Sequence, residues 1–333
     1  MTQLSFDAWR GSAEREVGGP SRAPAKTIVV GVDENGLGPR LGPLVATSVA
    51  IEVEAYRGEK LIAIARALGI DDSKATSGFR KLRLVESLSL ALAKRSTGET
   101  PSSADEFLEA ILLGGRSSLR ARCPSERSAA QCFESALSLP FAGGSLEEGE
   151  ALLLRLEEEA SLRILRAVSS AACPKILNDA LLEGQNKLHV DLELFERLLL
   201  SMREALAQGF TAYCGMIGGI RDVPKFSRLI GAPRFTTLER EKGLLVYQVE
   251  DRFRLRFEVG ADAAHLPVAL ASMLGKYTRE LLNHRMLAFY RLRDPRLPLA
   301  SGYHDRVTTT FIEGAAPIRD AEGVDPACFL RAR

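Results

Sequence analysis

Asp33 and Glu34 stand side by side at the end of the apolar run Thr27-Ile-Val-Val-Gly-Val, and the turn Asn35-Gly36-Leu37-Gly38-Pro39 follows at once. Adjacent carboxylates leaving a buried segment repel each other and lose hydration, so they call for a cationic partner. A divalent ion such as Mg²⁺ suits them, because it prefers hard carboxylate oxygens and keeps positions for water or phosphate. An acidic turn that only caps a strand is the alternative for this pair taken alone.

Other segments could join this chemistry. Asp71-Asp72-Ser73-Lys74 precedes the stretch starting at Phe79. Its Asp or Ser can cap that stretch, or Lys74 can meet a phosphate near the acids. Asp262 lies in Gly260-Ala-Asp-Ala-Ala-His-Leu-Pro267, at the entrance of a long helical pattern. The positive end of a helix dipole favours a carboxylate there, with or without a ligand. Downstream, Arg279, His284, Arg285, Arg291, Arg293 and Arg296 interleave with Phe289 and Tyr290. Such a mixture suits phosphate contact and base stacking, or a solvated helix face. The glycines Gly36, Gly38 and Gly42 give GxGxxxG, which misses the dinucleotide fingerprint by one position, and acids before them would repel a pyrophosphate.

The elements that must hold these residues alternate in type. Residues 27–53 read as two strands around the glycine turn. Helical spacing follows over Leu61–Leu68 and Phe79–Leu92, then an insertion of short helices and partly mobile loops over 96–150. Ala151–Arg166 reads as an amphipathic helix running into a strand at Ile164–Ser169. Leu192–Gln208 reads as a helix, Phe210–Ile217 as a strand, Leu244–Phe257 as a hairpin, and Pro267–Tyr290 as a long helix. Ala269, Ala271, Ser272 and Gly275 allow that last helix to approach a sheet closely. Strands interleaved with helices indicate an α/β layer structure.

The chain has 333 residues, and 44 Lys and Arg against 43 Asp and Glu leave a net charge of +1. Any nucleic-acid contact must therefore be a local patch. Five scattered cysteines with no CxxC pair argue for reduced thiols in the cytoplasm. No apolar run reaches the length of a membrane span, and the polar residues 1–26 read as a flexible leader without the apolar core of a secretory signal.

In order, these segments resemble ribonuclease HII and its sister ribonuclease HIII. That family opens with a strand, Asp-Glu-Ala-Gly-Arg-Gly-Pro, then Gly-Pro; this chain has Asp33-Glu34-Asn-Gly36-Leu37-Gly38-Pro39 and Gly42-Pro43. The family's Asp-Ser-Lys is similar to Asp72-Ser73-Lys74. Its Ala-Asp-Ala and Ala-Ala-Ser-Ile-Leu-Ala-Lys are similar to Ala261-Asp262-Ala263 and Leu270-Ala-Ser272-Met-Leu-Gly275-Lys276, and its late Gly-Tyr to Gly302-Tyr303.

The resemblance implies an RNase H-like mixed β-sheet flanked by helices over 27–310, with the 96–150 insertion inside it and a tail over 311–333. It implies two Mg²⁺ or Mn²⁺ ions on four carboxylates, hydrolysing RNA in an RNA/DNA hybrid or a ribonucleotide-containing duplex. By position, Asp33, Glu34 and Asp262 would ligate the metals. Gly36 and Gly38 would offer backbone to the ribose, Tyr303 would meet the sugar, and Lys74 and Lys276 would contact phosphate or order the acids.

Two departures stand out. The family's third aspartate ends the strand that here is Phe210-Thr-Ala-Tyr-Cys214-Gly215-Met-Ile-Gly218-Gly219, where Cys214 or Gly218 takes the expected place. Asp222, just beyond, is the candidate substitute; Asp191 falls on the wrong side of the helix for the family's order. Leu37 replaces the turn's arginine and removes a phosphate contact. The alternative to an active nuclease is a catalytically degenerate RNase H-fold protein that binds nucleic acid without cleaving it. A protein-interaction module built on the insertion is a third reading.

Overall fold

The apolar run from Thr27 forms β1 (Thr27–Asn35), and the run beyond the glycine turn forms β2 (Leu44–Val53), antiparallel to it with Asp33 opposite Thr47. The computed structural model describes residues 26–70 and 79–332. Along the chain follow α1 (Gly58–Ala67), α2 (Phe79–Thr97), α3 (Ala104–Ile111), α4 (Ser117–Arg120), α5 (Glu126–Phe133), α6 (Leu146–Ala160) and β3 (Leu162–Ala172). Then come α7 (Pro174–Leu182), α8 (Lys187–Ala205), β4 (Phe210–Gly215), α9 (Val223–Phe226), β5 (Phe235–Glu241), β6 (Leu244–Val249) and β7 (Phe253–Glu258). The chain closes with α10 (Ala261–Ala264), α11 (Leu266–Arg293), α12 (Arg306–Glu322) and α13 (Pro326–Phe329).

The strands make one mixed sheet in the order β3-β2-β1-β4-β7-β6-β5, flanked by helices on both faces as expected. β1, β4 and β7 run parallel at its centre, and the outer pairings are antiparallel. Strand alternation divides the core in two. Val29 joins Val45, Val49 and Ile51 beneath α2, α3, α6 and α11, whereas Ile28, Val30 and Val32 join Leu44 and Ala46 against α7 and α8. By the same alternation Asp33 faces the α11 side and Glu34 the α8 side.

The long helix α11 lies directly on β1. A Cβ at Gly31 would stand 2.1 Å from the carbonyl carbon of Pro267 and 2.2 Å from the nitrogen of Val268. Only glycine allows that approach, and it brings the entrance of α11 to the end of β1.

Several boundaries differ from the sequence expectation. The amphipathic helix stops at Ala160 and not near Arg166, because Ser161 turns left-handed with φ 49° and the chain enters β3 at once. The helix expected from Leu192 starts at Lys187. Asn186 caps it, accepting from the N–H groups of Leu188 and His189, while His189 accepts from the Asn186 N–H. Asp191 therefore lies inside α8. The edge strand β5 carries little apolar alternation and left no signal, whereas α7, absent from the expectation, does carry one, with Pro174 in its first turn and Ile176, Leu177, Ala180 and Leu181 at helical spacing.

The 96–150 segment is indeed short helices and loops, but it is firmly anchored. The buried Glu86 carboxylate accepts from the N–H groups of Phe141, Ala142 and Gly144 at 2.8, 2.9 and 2.7 Å, and from the Tyr277 hydroxyl at 2.9 Å. At the C-terminal end, Phe311 of α12 and Phe329 of α13 form a third core with Phe289 and Tyr290. All five cysteines are free thiols, and among the described residues no helix is long and apolar enough to cross a membrane.

Candidate functional site

Acidic side chains gather where β1 and β4 end. Asp33 is only 9% exposed. Burial, then the charge of Glu34, and more weakly that of Asp262, push its carboxyl well above the usual range, against hydrogen bonds from the Ser272 hydroxyl and the Glu34 backbone. Asp262, 7% exposed, is presented by α10 just after Gly260, which turns left-handed at φ 73°. Asn35 ties the turn to α11, its Nδ2 donating to the Ser272 carbonyl at 3.0 Å. The small residue Ser272 on the sheet-facing side of α11 thus orders Asp33 directly.

β4 brings glycine to this place. Val32 pairs with Cys214, so Gly215 stands level with Asp33, and the end of β4 carries no acid. A Cβ there would meet Asp33 Oδ1 at 2.6 Å and Glu34 Oε2 at 3.3 Å.

The substitute chosen from sequence, Asp222, is engaged elsewhere. It precedes α9, its side chain is 40% exposed, and it pairs with Arg240 at 3.3 Å. The groups whose charge acts on Asp33 are Glu34 and Asp262, not Asp222. Asp191, set aside on sequence order, faces the site instead. It is fully buried, and its carboxyl is pushed well up by burial, by the charge of Glu34 and by that of Asp33. It precedes β4 along the chain, and the order of the resembled family set it aside for that reason.

The glycine turn and Tyr303 do meet. Gly36, with φ 94°, has Arg279 Cδ and the Pro43 carbonyl each 2.8 Å from where a Cβ would be, and Gly38 lies beside Tyr303 with a corresponding distance of 3.9 Å. The Arg279 guanidinium stacks 4.9 Å from the centre of the Tyr303 ring and donates to the Ser301 carbonyl at 3.1 Å. Arg331 donates to the carbonyls of Gly36 at 2.5 Å and Gly42 at 2.8 Å, fixing the turn from below. Tyr303 itself is 46% exposed and presents a ring face to any ligand over the turn. Lys276 lies on α11 one turn past Ser272. Lys74, with Asp72 and Ser73, lies outside the described residues.

The basic side chains of the α11 stretch make contacts within the chain. Arg285 is buried, donating to Asp105 at 2.6 Å and the Phe133 carbonyl at 2.9 Å. Arg293 pairs with Glu322 at 2.5 Å and Glu134 at 3.5 Å, Arg296 with Asp294 at 2.9 Å, and Arg291 donates to the Leu297 carbonyl. Phe289 and Tyr290 are core residues. His284 packs against Phe141 at 5.0 Å between ring centres.

One further group escaped the sequence reading. His265 contacts the Tyr56 hydroxyl through Nδ1 at 2.9 Å and Glu258 through Nε2 at 3.0 Å, with its ring 3.9 Å from that of Tyr213. It braces the end of β7 against the entrance of α11. Burial holds its pKa below the usual 6.5, although Glu258 pulls the other way.

Among the described residues, no three histidine, cysteine or acidic side chains converge closely enough to hold an ion as they stand. The donor chemistry still suits one. Asp33, Asp191 and Asp262 offer hard carboxylate oxygens at low exposure, and both oxygens of Asp191 are buried without a hydrogen-bond partner.

No family model matches the sequence, and no curated protein matches it. Among solved structures, the chain is similar to RNase HII from Archaeoglobus fulgidus in a complex with PCNA, at 18% identity and TM-score 0.44, covering 92% of this chain and 94% of that one. It is similar to ribonuclease H2 from Pyrococcus horikoshii OT3, at 19% identity and TM-score 0.44, covering 91% and 92%. It is also similar to Bst-RNase HIII in complex with Mn²⁺, at 15% identity and TM-score 0.45, covering 92% of this chain and 66% of that one.

Proposed function

We propose that this chain is a ribonuclease HII-like endoribonuclease, dependent on Mg²⁺ or Mn²⁺, that hydrolyses the RNA strand of RNA/DNA hybrid duplexes. The observation that carries the reading is Asp33, buried at the end of β1 beside Glu34, with the charge of Asp262 acting on it and the glycine turn following it. Crowded, desolvated carboxylates cannot all ionise without a cation among them. Divalent ions bound there would supply Lewis-acid stabilisation of the charge that develops on the phosphoryl oxygens. Loading would require carboxylate side chains to turn inward from the arrangement described.

The chain's own residues have separable roles in this reading. Asp33, Glu34 and Asp262 are the ligands, and Ser272 orients Asp33 by its hydrogen bond. Gly36 and Gly38 let the turn's backbone approach a ribose, whose 2′-hydroxyl separates RNA from DNA. Tyr303 offers its exposed ring to the sugar, stiffened by Arg279 beneath it. Lys276 and Lys74 are assigned to phosphate or to ordering the acids.

The absence of an acid from β4 supports a second reading, a degenerate protein that binds nucleic acid without cutting it. Cleavage of a labelled duplex carrying one ribonucleotide or a run of them, in Mg²⁺ and in Mn²⁺, separates the two. Cutting that vanishes in Asp33→Asn supports the nuclease. Binding without cutting in either metal supports the second reading, and failure to bind or cut overturns both.

A further inference from the structure

We infer that Asp191, on α8, is the fourth carboxylate of the cation site, supplied from the opposite face of the sheet in place of the acid that β4 lacks. The inference rests on the proposed reading of the site as a divalent-metal centre and adds to it the residue that completes the set.

The first support is a contrast among buried acids. Glu86 accepts three backbone N–H groups and a tyrosine hydroxyl. Glu196, on the same helix as Asp191, accepts the Ser227 hydroxyl and the N–H groups of Arg228, Leu229 and Ile230. Those two carboxylates organise loops, and their lone pairs are used. Asp191 is 0% exposed, yet neither of its oxygens has a hydrogen-bond partner. A buried carboxylate with no donor is costly to keep unless a cation occupies the gap in the working protein.

The second support is direction. β1 alternates, so Glu34 points to the α8 side, where Glu34 and Asp33 are the charges acting on Asp191. Asp33 points to the α11 side, where Ser272 binds it and the charge of Asp262 acts on it. The acids thus approach the end of β1 from both faces of the sheet. Gly215 has no side chain of its own there, so Asp33 Oδ1 comes within 2.6 Å and Glu34 Oε2 within 3.3 Å of where its Cβ would stand. The Asn186–His189 cap fixes the start of α8 and with it the place of Asp191 in the second turn.

The test is Mn²⁺ binding by titration calorimetry and by the Mn²⁺-induced rise in melting temperature. It uses the full-length wild type, Asp191→Asn, the shape-matched apolar Asp191→Leu, and Asp33→Asn. Far-UV circular dichroism checks that each is folded. Asp191→Asn and Asp191→Leu are expected to weaken Mn²⁺ binding by on the order of tenfold to a hundredfold, as loss of a metal-shell group does. Adding Gly215→Asp to Asp191→Asn returns an acid to the strand end and is expected to recover most of that loss. Wild-type affinity in both Asp191 variants, with affinity lost in Asp33→Asn, would overturn the role of Asp191 and leave the metal site standing. A loss that Gly215→Asp does not relieve, when the Gly215→Asp single variant itself binds Mn²⁺ like the wild type, would assign the effect to disturbed packing and also overturn it. No Mn²⁺ binding by the wild type would remove the metal site itself.

Discussion

Replacing Gly31 by alanine tests the contact on which the whole site depends. The new Cβ would fall 2.1, 2.2 and 2.4 Å from the Pro267 carbon, the Val268 nitrogen and the Pro267 oxygen, all of them backbone atoms of the first turn of α11. No side chain can swing aside, so the helix must move. Ordinary contact begins near 3.4 Å, and the difference from 2.1 Å requires a shift of about 1.3 Å. Carried along α11, that shift would stretch the 3.0 Å bond from Asn35 to the Ser272 carbonyl beyond hydrogen-bonding range. Overpacking of this kind costs about 1–3 kcal/mol, and the broken hydrogen bond about 1 kcal/mol more. The expected loss of stability is therefore about 2–4 kcal/mol, read from urea denaturation at unchanged slope. Under the proposed nuclease reading, cleavage by the folded fraction should fall on the order of a hundredfold, because an ångström of misplacement at reacting groups costs that much. A Gly31→Ala protein with the wild-type denaturation midpoint would refute the claim that β1 and the entrance of α11 touch through glycine.

Glu86→Ala should leave three backbone N–H groups of the 141–144 loop without an acceptor, at a cost of about 3 kcal/mol or more. Hydrogen exchange should quicken in that loop first, and unchanged protection there would disprove the anchoring role. His265 is held neutral by burial, with its folded pKa below 6.5. Its contribution to stability is thus present above pH 6.5 and lost as the pH falls through the folded value. The stability advantage of the wild type over His265→Gln, from denaturant melts between pH 8 and pH 4.5, should shrink below pH 6.5. A constant advantage would mean that burial and Glu258 offset each other, and an advantage that grew below pH 6.5 would mean that Glu258 governs the imidazole.

Much of the scaffold was readable along the chain. The β-branched run of β1, the glycine turn, and the small residues of α11 are local signals, and each became the element its periodicity implied. Asp33, Glu34, Gly36 and Gly38 stand on such elements, so their neighbourhood could be named from their order. The basic stretch of α11 misled for the opposite reason. Its partners Asp105, Glu134 and Glu322 come from distant segments, and only their approach turns cations that could serve a phosphate into internal ion pairs.

The choice between Asp191 and Asp222 belongs to the tertiary structure as well. Both are aspartates near the same strand in sequence, and local pattern offered the one beyond the strand. The cap at Asn186 starts α8 ahead of Asp191, and packing of that helix on the sheet carries the carboxylate under Glu34. Asp222 meets Arg240 at the surface. Sequence by itself determined most of the elements that form and which residues could act as ligands, because periodicity and turn chemistry act over a few residues. Which carboxylates lose their water and come within reach of one another was decided only when helices from both faces closed on the end of β1. Burial and charge repulsion are properties of that closure and of no segment alone.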